Sequence, residues 1–169
     1  MSTWFLITCE ISIIACGLVS GTFLTFSDFV MRSLDGAKNT AGIEVMQIIN
    51  REVFSSVFMF LLLGMSALSL FLIGYAYYRV SGSASELIMA GGAVYFVGVF
   101  AVSLVFNVPM NNRLDTKEYT GADATAYWTN TYLPYWTLWN YVRAIASAAA
   151  AICFLIAAIE LSQGVAAIG

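Results

Sequence analysis

No histidine occurs anywhere in the 169 residues of this chain. That absence removes imidazole ligation of haem, the common zinc and copper sites, the serine–histidine pair and the usual proton shuttle. Charge is scarce too: Asp, Glu, Lys and Arg make up 10% of the sequence, against about 25% in an ordinary soluble domain. The seven Lys and Arg residues are scattered singly, without the basic run that tracks a phosphate backbone, so no nucleic-acid partner is expected. Cys9, Cys16 and Cys153 sit inside apolar runs and form no paired framework, which makes them small packing residues. No spacing of Cys, Met or carboxylate resembles a metal site, so none is assigned. The opening Met1-Ser2-Thr3-Trp4 lacks the basic start of a signal peptide, and the apolar run behind it is expected to stay as a helix.

What remains is mostly apolar: 60% of the residues are hydrophobic and the mean hydropathy is +0.83. Four stretches, 4–26, 53–78, 87–106 and 135–161, reach or exceed the roughly 20 residues that cross a hydrocarbon core. Each must be helical, because an open strand cannot satisfy its backbone in lipid. The expected fold class is therefore all-α: a four-transmembrane-helix bundle, residues 1–169 as a single membrane domain, with short amphipathic helical segments in the first and third connections. Only Arg79 to Glu86 separates the second and third stretches, which makes them antiparallel neighbours.

Arg32, Lys38, Arg51, Arg113, Lys117 and Arg143 fall on the side of the first and third connections, and Arg79 alone on the other. By the positive-inside rule those two connections are cytoplasmic, both termini are outside, and the expected location is a bacterial plasma membrane. Gly17 and Gly21, Gly91 and Gly92, and Ala144, Ala148 and Ala151 are small residues of the kind that let helices approach closely. The approach could be within the chain or between copies in a homo-oligomer. Glu10 and Glu160 lie toward the opposite membrane face and read as interfacial residues.

Three polar clusters converge on the side assigned to the cytoplasm. The first is Thr22, Thr25, Ser27 and Asp28. The second is Met46-Gln47-Ile48-Ile49-Asn50-Arg51-Glu52, whose apolar spacing predicts an amphipathic lead-in to the second spanning helix. The third is Asn107-Val108-Pro109-Met110-Asn111-Asn112-Arg113, where Pro109 is expected to end the third helix and the asparagines to satisfy the freed backbone groups. A further helical segment should begin after Gly121 and Asp123, and the fourth spanning helix beyond Pro134.

Trp128, Tyr132, Trp136, Trp139, Asn140 and Arg143 recur at spacings of three and four, which places most of them on one helical face. Such a stripe suits the wall of a pocket for a flat conjugated ligand. The same residue types also build an interfacial aromatic belt with Arg143 snorkelling to headgroups. A charge within a spanning helix usually faces the protein interior and has a partner, which favours the pocket. Asp28, Glu52 or an asparagine carbonyl are candidate partners.

Four elements, Phe26-Ser27-x-Phe29-Val30-Met31, Met46-Gln47-x-Ile49-Asn50, Asn107-Val108-Pro109-Met110-Asn111-Asn112 and Trp136-x-x-Trp139-Asn140-x-x-Arg143, occur in this order. Together they resemble the anthrone oxygenase-like family of small four-helix membrane proteins, from about Gly21 to the end of the fourth helix. Two departures stand out: Arg32 where that family often has proline, and Pro134 in an otherwise smooth run into the fourth helix.

The resemblance implies a membrane-embedded oxygenase that converts an anthrone or similar polyphenolic compound to a quinone with dioxygen and no recognised cofactor. Its partners would be the bilayer, a lipophilic aromatic small molecule and dioxygen. Arg143, Asn140, Asn111 and Asn107 would carry the chemistry, and Trp136, Trp139, Tyr132, Asn50, Asn112 and Asp28 would bind the ring, with Asp28 or Glu52 as candidate bases. Two other classes fit the same composition: a non-catalytic subunit or assembly factor of a larger membrane complex, and a carrier for a lipophilic compound. A carrier needs a path between both faces, against which the one-sided polar clusters argue.

Overall fold

The computed structural model describes residues 3–38 and 40–166, with side chains placed as far as residue 163. Among these residues every regular element is helical. In chain order they are α1 (Thr3–Asp35), α2 (Ala41–Glu52), α3 (Val57–Arg79), α4 (Ser83–Asp115) and α5 (Ala122–Gln163). All but α2 are long and apolar enough to cross a membrane, the architecture of an integral membrane protein.

The spanning helices run further than expected. α1 does not stop near Phe26 but continues to Asp35 through a wide π-helical turn at Phe26–Val30. α4 does not end at Pro109. A π-helical turn at Ser103–Asn107 precedes the proline, which then occupies the first turn of the following α-helical stretch. Nor does Pro134 start the fourth spanning helix: it lies inside a π-helical segment, Trp128–Trp136, and α5 is continuous from Ala122. Proline's ring clashes with a carbonyl one α-turn back, and a locally widened turn relieves that clash without breaking the helix. The helical segment expected in the third connection is thus the start of α5.

Helix α2 is separate and amphipathic. Ile43, Met46, Gln47 and Asn50 are buried at helical spacing, while Val45, Ile48, Arg51 and Glu52 are exposed. A short turn joins it to α3, where Ser56 caps the helix by accepting from Met59 N at 3.2 Å. Gly42 is needed at the start of α2: a Cβ there would lie 1.9 Å from the carbonyl oxygen of Leu34, so only glycine lets α2 cross the end of α1. Gln47 ties α2 to the third connection, its Nε2 donating to Leu114 O at 2.8 Å and Lys117 O at 2.9 Å.

α3 and α4 are the antiparallel neighbours expected, joined through Gly82 at φ 78°. Ser85 Oγ donates to Ala76 O at 3.0 Å beside that turn. A Cβ at Gly92 would lie 2.9 Å from Ser69 O, and one at Gly98 2.5 Å from Ala146 Cβ, so these glycines set close approaches of α4 to α3 and α5. Gly17 and Gly21 behave differently, with nothing within 4 Å of a Cβ at either. They face away from this bundle, and α1 meets α5 instead through Ser20 Oγ to Ala144 O at 2.8 Å and Ser147 Oγ to Cys16 O at 2.9 Å.

Two apolar cores result. The larger fills the four-helix bundle, around Phe5, Cys16, Leu72, Tyr95 and Phe154. The smaller gathers Met31, Ile43, Met46, Leu114, Trp128, Tyr132 and Trp136 where α2 and the start of α5 close one end.

Candidate functional site

Between the two cores lies a cavity of about 410 Å³, within the range of small-molecule sites. Its polar lining is Thr22, Asn50, Ser103, Asn111, Asn140 and Arg143; the rest is apolar, with Phe23, Phe26, Phe58, Phe100 and Trp136 supplying aromatic surface. Each of the four π-helical segments among the described residues delivers at least one lining residue: Phe26, Phe100, Ser103 and Trp136. A widened turn rotates the residues after it relative to those before, and such turns concentrate at functional sites.

Arg143 is the only ionisable group in the lining. It is 6% exposed. Nη1 donates to Ser103 Oγ at 3.2 Å and Nη2 to Asn140 Oδ1 at 2.5 Å, while Nε has no partner. Its guanidinium lies 4.1 Å over the ring of Phe23 and 5.5 Å from that of Trp136. Among the described residues no carboxylate pairs with it; the ion pairs are Arg32–Asp28, Arg51–Asp115 and Lys117–Asp123. Of its candidate partners, the asparagine carbonyl is the one realised. A guanidinium has five N–H groups, so this buried cation keeps unused donors beside an apolar cavity.

Asn140 is fully buried and orients Arg143. Its Nδ2 donates to Phe23 O at 2.5 Å and Ser27 Oγ at 2.6 Å, which fixes its Oδ1 toward the guanidinium. A second network lies across the cavity. Asn111 Oδ1 accepts from Tyr132 OH at 2.8 Å and from Trp136 Nε1 at 2.7 Å, and Asn50 Nδ2 donates to the same tyrosine oxygen at 3.1 Å. The rings of Trp128, Tyr132 and Trp136 stack in succession, with centroids 5.4 and 5.9 Å apart. Trp128 is pinned at the outer end by Asp35, through Nε1 to Oδ1 at 2.9 Å.

The residues singled out in the sequence divide accordingly. Asn50, Asn111, Trp136, Asn140 and Arg143 line the cavity together. Tyr132 and Asn107 stand behind the lining: Tyr132 supports Asn50 and Asn111, and Asn107 Nδ2 donates to Trp136 O at 3.1 Å. Trp139, Asn112 and Asp28 are not part of it. Trp139 stacks flat on Phe106 at 3.6 Å, because it lies about 100° round α5 from Asn140. Asn112 is exposed, one position round the helix from Asn111. Asp28 is 61% exposed in its side chain and pairs with Arg32 at 3.2 Å. Glu52 is also exposed and does not line the cavity, so neither candidate base reaches it.

The sequence reading missed Ser103, which holds Arg143, and Phe23, which lies under it. Ser103 was discoverable: Ser103, Asn107 and Asn111 recur every four residues, a polar stripe on an otherwise apolar helix. Phe23 carried no signal that distinguished it from other apolar residues of α1.

The anthrone oxygenase family model matches residues 51–153. That span contains the Asn107–Asn112 and Trp136–Arg143 elements, while the elements at Phe26 and Met46 precede it. No curated protein and no solved structure matches the chain. With more than half its length matched, this protein belongs to the anthrone oxygenase family.

Proposed function

We propose that the protein is a membrane-embedded oxygenase of an anthrone-like substrate: a flat polyphenolic molecule with an acidic CH₂ conjugated through its aromatic rings to a carbonyl. The observation that supports this most is Arg143, a buried cation without a carboxylate partner among the described residues, bordering an aromatic cavity. An isolated buried charge is costly, and charges within spanning helices are normally paired. A ligand that is anionic, or becomes so during reaction, completes the pair.

The chemistry needs little else. Loss of a proton from the CH₂ gives an enolate whose charge sits on the carbonyl oxygen, where Arg143 would stabilise it. The enolate passes one electron to dioxygen, the carbon radical and superoxide combine to a hydroperoxide, and loss of water leaves a carbonyl. In sum, R₂CH₂ and O₂ give R₂C=O and H₂O. Trp136, Phe23 and Phe26 would hold the ring, and Asn50 and Asn111 would offer polar contacts at its edge. The lining holds no carboxylate, thiol or imidazole, so the substrate's ionisation would rest on the field of Arg143 instead of a positioned base.

The test is oxygen uptake by the detergent-purified protein with emodin anthrone, alongside Arg143→Met and a protein-free control, because anthrones oxidise spontaneously. Uptake and quinone absorbance above control, lost in a folded Arg143→Met, are expected. Binding without uptake would replace the oxygenase by a carrier or binding protein. Neither binding nor uptake with any acidic polyphenol would leave the non-catalytic subunit.

A further inference from the structure

We infer that the cavity is filled sideways from the bilayer, through a gap between α3 and α4, by a ligand dissolved in the lipid. Three lining residues are large, apolar and strongly exposed: Phe54 at 62%, Leu63 at 49% and Leu104 at 52%. Phe54 and Leu63 lie at or near the start of α3, and Leu104 lies on α4. Away from the cavity these two helices press together, with Gly92 against Ser69 and Ile73. Tyr95 OH still reaches Leu62 O at 3.4 Å. Toward the Ser103–Asn107 turn their contact falls away, and the cavity occupies the space between them.

The other walls are lined by buried or half-buried side chains. Phe23 meets Phe58 edge to face at 5.3 Å where α1 approaches α3. Asn140 and Arg143 seal the α1–α4–α5 side, and Met46 and Asn50 of α2 close the end. The outer surface beside the gap is apolar as well: Val57, Phe60, Val97 and Val105 are all exposed and carry no charge among them. A mouth set in such a belt faces hydrocarbon, because large exposed apolar side chains on helices that span a bilayer meet lipid.

Mouth and interior together define what is admitted. The rim offers no polar group, so a molecule must cross it from the acyl-chain region with its apolar part exposed. Inside, the unused donors of Arg143 meet one oxygen. The ligand class is therefore a lipid-partitioning ring compound with an acidic or enolisable oxygen placed to meet Arg143; a permanently charged or sugar-bearing compound is excluded at the rim. The identity of the ligand rests on the oxygenase proposal, but the route does not.

The test uses the full chain carrying Trp4→Phe, Trp128→Phe and Trp139→Phe, which leaves Trp136 in the cavity wall as the sole indole, reconstituted into phosphatidylcholine brominated on the acyl chain. Bromine quenches indole emission at short range. Emission is expected to fall at least twofold relative to unbrominated lipid, and Leu63→Phe with Leu104→Phe, which narrows the gap, should restore most of it. Circular dichroism checks that each variant keeps its helices. Full emission in brominated lipid with quenching by aqueous acrylamide would overturn the proposal, since the mouth would then open to water. Quenching unchanged by the narrowing pair would overturn it as well, by placing the mouth elsewhere. An inactive protein that still shows narrowing-sensitive quenching would refute the oxygenase and leave the lateral route standing.

Discussion

Asn140 Oδ1 accepts from Arg143 Nη2 at 2.5 Å, one turn apart on the same helix. The asparagine's own amide is locked to the α1 backbone, so the guanidinium is held by a neutral group that leaves its charge uncompensated. Arg143→Met should therefore separate activity from stability. Turnover is expected to fall about 100- to 1000-fold, the loss of one strong oxyanion donor. The melting temperature should stay the same or rise, because an apolar side chain of similar length relieves a buried charge. Oxygen uptake and thermal unfolding on the same preparation check both halves; a collapse of the fold would make Arg143 a structural residue.

Asn111 should show the reverse balance. Its single oxygen accepts from two ring donors, Tyr132 and Trp136, and Asn111→Ala leaves both without that acceptor. Each abandoned donor costs about 1–3 kcal/mol, so thermal stability should drop clearly. Tyr132→Phe removes one of those donors, and the double variant Asn111→Ala with Tyr132→Phe should lose less than the two single losses added together. Additive losses would mean that the two side chains act independently.

Much of the fold was legible because the bilayer imposes a simple code. Length and hydropathy mark the four spans, and the turn containing Gly82 makes α3 and α4 neighbours. The candidate site was legible in part: amides and a guanidinium inside apolar helices are rare enough to notice, and Asn50, Asn111, Asn140 and Arg143 do share one cavity. Which side of its helix each neighbour faces was not legible. Trp139 and Asn112 sit one residue from lining positions and point elsewhere, a distinction that depends on helix phase. The π-helical turns shift that phase in ways no residue pattern announced. Pro109 and Pro134 read as helix ends for the same reason: the rule assumes α-helical geometry, and here the backbone widens instead.

Glycine positions that look alike in sequence should respond differently. At Gly42 a methyl group would meet the Leu34 carbonyl oxygen at 1.9 Å, so Gly42→Ala must lift α2 off the end of α1. Because Met46, Ile49 and Asn50 of α2 line the cavity, ligand affinity should fall with stability; overpacking of this kind typically costs about 1–3 kcal/mol. Gly17→Ala and Gly21→Ala meet nothing within 4 Å and should leave the melting temperature of a monomer unchanged. A shift in apparent mass by gel filtration in either variant would reveal self-association through that face of α1.

The distribution of charge predicts the sidedness of the cavity end, and labelling can check it. Arg32, Lys38, Arg51, Arg113 and Lys117 lie at the end closed by α2, while Arg79 stands alone at the opposite one. The positive-inside rule then predicts a cytoplasmic cavity end. Arg143 does not alter the balance, because it is buried against Ser103 and Asn140 and presents no charge to the membrane surface. In a background with Cys9, Cys16 and Cys153 replaced by alanine, a membrane-impermeant maleimide should label Ser81→Cys in intact cells and Glu118→Cys only after permeabilisation. The reverse pattern would place the cavity end outside. An oxygenase drawing its substrate from the lipid would then serve compounds arriving through the outer leaflet, whereas the expected orientation would tie it to ring compounds that partition into the inner leaflet.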